Sequence, residues 1–378
     1  VAAMILTWLI VLVGWLCGWQ LLLANKTLRF TSKQQIHQPF ARPSLSIIVP
    51  ARNEASNIGN LMRSLRGQLG PNDEIIVVND GSVDDTGIIA EAWGARVVAT
   101  KRIPIGWQGK SWACWNGVQA SSGEMLLFID ADAQMAPNGI NSIVFEYLSV
   151  QGCGKGILTM QPYHLMKNAY EKLSLYFNLI VLGAIASAGR KSGGFGPVAL
   201  CLREEYDDVG GHAGVSGFIL EHYELARRYA SMGYPVRNRY GEGVVTFRMY
   251  PSGFLSLVRG WSKGFATGAG TSSVRTLLII IPWIAGSLTA FTSLINHLVN
   301  GSWIGNLAGT AIYMSYAIQL YLLQQRAGNF GYRTVVLYPL ALMTFLWAFI
   351  QSLISTFFVR RVEWKGRTLA LKEKGKRA

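Results

Sequence analysis

Between residues 44 and 145 the chain alternates two hydrophobic rhythms. Short apolar runs, "LSIIVPA", "DEIIVVND", "ARVVAT" and "MLLFIDAD", have the length and β-branched content of strands. Between them, "NEASNIGNLMRSLRGQ", "GSVDDTGIIAEAWGA" and "SWACWNGVQASSGE" space their apolar residues as helices do. This β-α-β-α order predicts an α/β domain: a doubly wound, mostly parallel sheet with right-handed crossovers. The run Leu126, Leu127, Phe128, Ile129, closed by polar residues, fits a strand buried on both faces. Residues 146–272 are less regular and rich in Gly and aromatics.

A third pattern lies outside this region. Residues 2–24 carry no charge over 23 positions, enough for a helix to cross a hydrocarbon core of roughly 30 Å. The run has no basic region before it and exceeds a signal-peptide core, so it reads as a retained span. Apolar stretches recur at about 276–299, 302–323 and 334–358, the last interrupted near its start by Pro339. Five segments follow: a transmembrane helix (1–24), a basic linker (25–43), the sheet domain (44–272), transmembrane or re-entrant helices (273–358) and a basic tail (359–378).

Half of the 378 residues are hydrophobic and mean hydropathy is +0.25, as a membrane protein requires. Lys26, Arg29, Lys33 and Arg42, with no acid among them, place the sheet domain in the cytoplasm of a multi-pass protein of the cell membrane. If all three C-terminal stretches crossed, the tail "RRVEWKGRTLALKEKGKRA" would end outside, against the same rule. A re-entrant or interfacial 334–358 keeps tail and sheet domain on one side. The net charge of +14 gathers beside the apolar segments and in the tail, which points to anionic headgroups and away from nucleic acid. Cys17, Cys114, Cys153 and Cys201 show no C-x-x-C spacing, so the sequence supports neither a zinc site nor a disulfide framework.

Three predicted strands end in acids: "IIVPARNE" presents Glu54, "VVNDGS" Asp80, and "FIDAD" both Asp130 and Asp132. In a parallel sheet these ends share the edge where ligands bind. Carboxylates there can accept hydrogen bonds from ribose hydroxyls or a base N–H, and can hold a divalent cation against a diphosphate. Alone, Asp80 before Gly81-Ser82 would be an ordinary turn residue. Gly109-Lys110-Ser111 has the end of a phosphate loop, but that motif needs Gly at 104, where Pro104 stands. Lys110 at a helix start remains a candidate diphosphate contact through its charge.

"PARNE", "NDGSVDDT" and "FIDAD" about fifty residues later resemble glycosyltransferase family 2, which has the GT-A fold. The resemblance implies that Pro50, Arg52, Glu54, Asp80, Gly81, Lys110 and Asp130 bind a UDP-sugar. It makes Asp132, with Asp130, the ligand of Mg²⁺ or Mn²⁺. Membrane-bound, lipid-modifying members carry a similar Gly-Trp-x-Gly-Lys segment. Where family members usually place a Glu-Asp pair whose Asp is the catalytic base, this chain has Glu221 and His222. Either Glu221 or His222 takes that role, or the acceptor needs little help. An acceptor carboxylic acid, with a pKa of about 4 to 5, is already ionised at neutral pH. Arg259-Gly260-Trp261-Ser262-Lys263 stands where relatives have Gln-x-x-Arg-Trp, making Trp261 and Lys263 candidates for stacking and charge neutralisation.

Within the family, "QPYH", "FGPVAL", "GGH", "FRMYPSGF", "GWSKGFATGAG" and "VEWKGR" resemble bacterial enzymes of C30 carotenoid synthesis. That implies inverting transfer of glucose from UDP-glucose to a carotenoid carboxylate held in the bilayer, with other enzymes of the pathway as possible partners. A diacylglycerol, a ceramide-like lipid or a polyprenyl phosphate is the alternative acceptor. A processive polysaccharide synthase would need more spans and the Gln-x-x-Arg-Trp motif, and a relict scaffold would not need its four strand-end acids.

Overall fold

A computed structural model describes residues 2–29, 42–149, 154–188, 193–262, 272–354, 361–364 and 367–370. In chain order the elements are α1 (Ala2–Ala24), β1 (Leu45–Ala51), α2 (Ala55–Leu65), β2 (Glu74–Asn79), α3 (Thr86–Ala92), β3 (Arg96–Ala99) and α4 (Gly109–Gln119). Next come β4 (Met125–Ile129), β5 (Ala133–Met135), α5 (Gly139–Ser149), β6 (Ile157–Gln161), β7 (Tyr163–His164) and α6 (Leu175–Ser187). They are followed by β8 (Val198–Leu202), α7 (Arg203–Asp208), α8 (Glu221–Ser231), β9 (Val236–Tyr240), β10 (Val245–Phe247) and α9 (Phe254–Ser262). The chain closes with α10 (Val274–Asn300), α11 (Trp303–Gln324), α12 (Tyr332–Val336), α13 (Tyr338–Ile354), β11 (Arg361–Trp364) and β12 (Arg367–Ala370).

These elements form two compact units: residues 29–164, 190–249 and 359–378 in one, and 1–28, 165–189 and 250–358 in the other. Within the expected 44–272 sheet domain, residues 165–189 and those from 250 onward thus fall in the helical unit. They group with the helices because α6, "LYFNLIVLGAIAS", is apolar all round and needs a helical environment to bury it.

The sheet unit has a seven-stranded sheet in the order β3-β2-β1-β4-β8-β6-β9. The first four strands run parallel, as the β-α rhythm predicts. β8 runs antiparallel to both β4 and β6, and β9 is parallel to β6, so the sheet is mixed but mostly parallel. The irregular sequence after residue 146 hid this second half. Strand alternation sorts the core onto two faces. Ile47 and Val49 of β1, with Leu127 and Ile129 of β4, join α2 and α5 on one face. Ile48, Leu126 and Phe128 join α4 and α8 on the other. All five residues of β4 are buried, which is why that strand reads as a continuous apolar run. α4 lies close on the sheet because Gly117 leaves no Cβ: one placed there would sit 2.5 Å from Ile48 Cγ2.

In the helical unit, α1 packs along α10. Gly14 and Gly286 face each other there, and a Cβ on Gly14 would lie 2.8 Å from the Cα of Gly286. Polar groups inside the bundle satisfy one another: Tyr316 Oη donates to the Val11 carbonyl at 2.8 Å and Gln319 Nε2 to the Trp15 carbonyl at 2.8 Å. Among the described residues, three helical stretches are long and apolar enough to cross a membrane, Met4–Ala24, Ala169–Ser187 and Val274–Asn300. The second was not read from the sequence, since Glu171, Lys172 and Asn178 break its apolar run. The expected 302–323 stretch forms α11 but lies outside this set, and 334–358 splits at Leu337 into α12 and the shorter apolar α13. Large apolar side chains face outward on α1 (Met4, Leu9, Leu12), α10 (Leu278, Ile281) and α13 (Leu340, Ile350).

Candidate active site

In the parallel half of the sheet, the carboxyl ends of β1, β2, β3 and β4 lie on one edge. The loops leaving β1 and β2 are bound to each other. Arg52 Nη1 donates to the Asp80 carbonyl at 2.6 Å and the Gly81 carbonyl at 3.0 Å, and the Asp80 N–H donates to the Ala51 carbonyl at 2.9 Å. Glu54 caps the start of α2, its N–H donating to Thr86 Oγ1 at 2.8 Å and its Oε2 accepting from Asn57 Nδ2 at 2.8 Å. Asn53 adopts φ 53° and Gly81 φ 63°, left-handed conformations that Asn and Gly tolerate. Asp84 clamps the same loops, accepting from the Ala55 N–H at 3.1 Å and the Thr86 N–H at 3.2 Å. The "PARNE" and "NDGSVDDT" motifs are therefore one structure, tied together by hydrogen bonds of Arg52, Asn53 and Asp84. Pro50, inside β1, continues that strand without donating a backbone hydrogen bond.

Asp80 is buried, and its Oδ1 accepts from Thr100 Oγ1 at 3.1 Å. Beside it opens a cleft of about 370 Å³ lined by Gly81, Thr100, Lys101, Arg102 and Ile103. A buried acid next to two cations suits a base or ribose together with a diphosphate. Thr100, Lys101 and Arg102 were not singled out from the sequence; a polar, basic segment directly after a parallel strand was the available signal.

The second cluster forms where β4 meets β8. Their antiparallel register sets Ile129 opposite Val198, and the Asp130 N–H donates to the Pro197 carbonyl at 2.9 Å. In the turn that follows β4, Ala131 is buried in the core while Asp130 and Asp132 on either side of it are half-buried. Lys110, in the first turn of α4, joins three parts of the site. Its Nζ lies 2.7 Å from Asp130 Oδ1 and 2.8 Å from Glu221 Oε1, and donates to the Gly196 carbonyl at 3.2 Å. Burial would lower the ammonium's pKa, but Asp130 and Glu221 outweigh it and hold Lys110 above its ordinary value. Burial raises Asp130, and Lys110 recovers only part of that. For Glu221 burial also pushes upward, but Lys110 prevails and the carboxyl ends below the usual range.

His222 is buried beside Glu221, its Nδ1 hydrogen-bonded to the Gly196 carbonyl. Burial, then the charge of Lys110, pushes it down to about 4, so it is a neutral ring at physiological pH. Gly196 lies in the "FGPVAL" stretch, and its role as shared acceptor follows from backbone position, which side-chain reasoning does not reach. Trp261 belongs to the helical unit, where it stacks on Phe177 with ring centroids 5.0 Å apart and 14° between planes. Arg259 is exposed on the same helix. Lys263 lies outside the described residues.

Asp130 and Asp132 together offer carboxylate oxygens at one strand end, the hard donor set that Mg²⁺ and Mn²⁺ prefer. The Lys110 contact uses Oδ1 of Asp130. The donor chemistry thus fits a divalent cation.

The profile of glycosyl transferase family 2 matches residues 46–149, which span β1 to α5. The chain is 36% identical over 358 residues to a protein named 4,4'-diaponeurosporenoate glycosyltransferase from Staphylococcus aureus strain MRSA252, covering 92% of each chain. It is 36% identical over 357 residues to the protein of the same name from strain N315, again covering 92% of each. Among solved structures, a mannosyltransferase from Pyrobaculum calidifontis in complex with GDP-Man and Mn²⁺ shares the fold. Its TM-score is 0.54 at 18% identity, covering 93% of this chain and 99% of that one. The chain belongs to glycosyltransferase family 2 and is a sugar-transferring enzyme of GT-A fold.

Proposed function

We propose that the enzyme transfers glucose from UDP-glucose, with inversion, to the carboxylate of a C30 carotenoid acid, 4,4'-diaponeurosporenoate, forming a glycosyl ester. The observation that carries the acceptor class is the pairing of Glu221 with Lys110 at 2.8 Å. A carboxylate already neutralised by an ammonium is a weak proton acceptor, and its neighbour His222, sealed from solvent and pushed down to about 4, is a weak one too. A hydroxyl acceptor would call for a stronger base than either of these two groups. A carboxylate acceptor needs none. The name of the Staphylococcus aureus relatives supports the same acceptor.

In this reading Asp80 and the Thr100–Ile103 cleft hold the nucleotide, with Glu54 and Arg52 fixing the loops around it. The acceptor carboxylate attacks C1 of glucose while the bond from C1 to the diphosphate oxygen breaks, and no proton need be removed. Asp130 and Asp132 would hold Mg²⁺ or Mn²⁺, which supplies Lewis-acid neutralisation of the leaving diphosphate. Lys110 adds a fixed positive charge at that edge.

Transfer from labelled UDP-glucose in membranes containing this chain tests the reading, with a carotenoid acid and a diacylglycerol offered in parallel. Label on the carotenoid, lost on adding EDTA and released by mild alkali as an ester would be, is the expected result. Label on the diacylglycerol would overturn the acceptor and make Glu221 or His222 the base.

A further inference from the structure

Behind the Lys110–Glu221 pair, Cys114, His212 and His222 close into a cluster that the proposed transfer does not use. Each offers one ligating atom, and these atoms lie within 4.8 Å of one another. Cys114 stands one helical turn beyond Lys110 on α4, and His222 directly follows Glu221 on α8. The side chains are sealed from solvent, with exposures of 0% for Cys114 and His212 and 1% for His222.

The hydrogen bonding leaves the two rings incomplete. A carbonyl oxygen only accepts, so the His222 Nδ1 on Gly196 carries the proton and its Nε2 bears a lone pair. His212 Nδ1 lies 2.8 Å from Tyr206 Oη, which also accepts the His212 backbone N–H at 2.9 Å. Both Nε2 atoms are buried without a hydrogen-bond partner. Two imidazoles held through Nδ1, each with an unpartnered Nε2 and with a thiol in the same cluster, match the arrangement in which outer partners orient metal ligands.

We propose that Cys114, His212 and His222 bind a divalent ion of the zinc class, which pins the middle of α4 to the start of α8. A Cys114 thiolate would place one negative charge on the ion, and the Lys110–Glu221 pair beside it is neutral, so no uncompensated cation stands in its way. Burial alone holds the Cys114 thiol protonated, but a coordinating thiol gives up its proton to the ion. Bond lengths of about 2.0 to 2.3 Å need the ligand atoms to close in by about 1 Å, within reach of side-chain rotation. This N₂S set is softer than the carboxylates of Asp130 and Asp132, so the two sites select different metals. No cysteine spacing announces the site, because its ligands come from three separate segments.

Metal analysis of the purified full chain tests this without any measurement of transfer. We expect about one equivalent of zinc in the wild type and in Asp132→Ala, and about a tenth or less in Cys114→Ser. Cobalt added to the metal-free wild type should give thiolate charge-transfer absorption, which Cys17→Ser keeps and Cys114→Ser loses. Wild-type protein that holds no zinc, gives no such band and gains no thermal stability from zinc would overturn the proposal and assign the two nitrogens to an ordered water.

Discussion

At the scale of single residues, Lys110 determines what the acids around it can do. Replacing it with Met leaves Asp130 and Glu221 facing each other without a counter-ion. Both partners of Lys110 are partly shielded from water, with exposures of 28% and 7%, so a destabilisation of about 2 kcal/mol is expected, below the value for a fully buried pair. Thermal unfolding measures it, and donor turnover should fall with it. Asp132→Ala should lower transfer by at least about 10²-fold, since it removes charge stabilisation of the leaving diphosphate; a fully active variant would refute the metal assignment. Glu221 ionises below the usual carboxylate range and His222 at about 4. Neither changes charge near neutrality, so transfer should be flat from about pH 6 to 8. A rising limb in that interval would reveal a base that the geometry does not provide. The depressed Glu221 also fixes the sign of its stability term: its contribution is complete above the unfolded carboxyl value and is lost as pH falls through the folded one.

At the scale of elements, the site exists because α4, β8 and α8 bring Lys110, Gly196 and Glu221 to the end of β4. The close approach of α4 is testable at Gly117. A Cβ there meets Ile48 at 2.5 Å and Val78 at 3.0 Å, so Gly117→Val should cost about 1 to 3 kcal/mol by overpacking. The displaced helix would carry Lys110 with it, raising the KM for the nucleotide sugar as well as lowering the melting temperature. The first four strands were legible because each is a short apolar run closed by a polar turn. β6, β8 and β9 were not, since β9 reads "VRNRY", whose Asn238 and Arg239 are buried by partners distant in sequence. Arg239 pairs there with Glu146 at 2.6 Å, an interaction that periodicity cannot reveal.

At the scale of the whole molecule, the expected membrane topology has a direct test at the tail. Within the described residues α13 runs for 17 positions, about 26 Å of helix. We propose that 334–358 is re-entrant or interfacial, which the positive-inside rule favours because it keeps the basic tail in the cytoplasm. Cysteine introduced as Ala378→Cys should react with an impermeant maleimide only after cells are opened; labelling of intact cells would place the tail outside.

The sequence by itself determined the family, the parallel half of the sheet, and the acids at its strand ends, because local pattern and short motifs write those directly. Tertiary structure alone decided that residues 165–189 join the helices, that Gly196 offers a carbonyl to both Lys110 and His222, and that Lys110 pairs with Glu221. Lys110 and Glu221 stand 111 positions apart in the chain. Contacts of that kind arise from the packing of one element on another, and no periodicity or spacing along the chain encodes them.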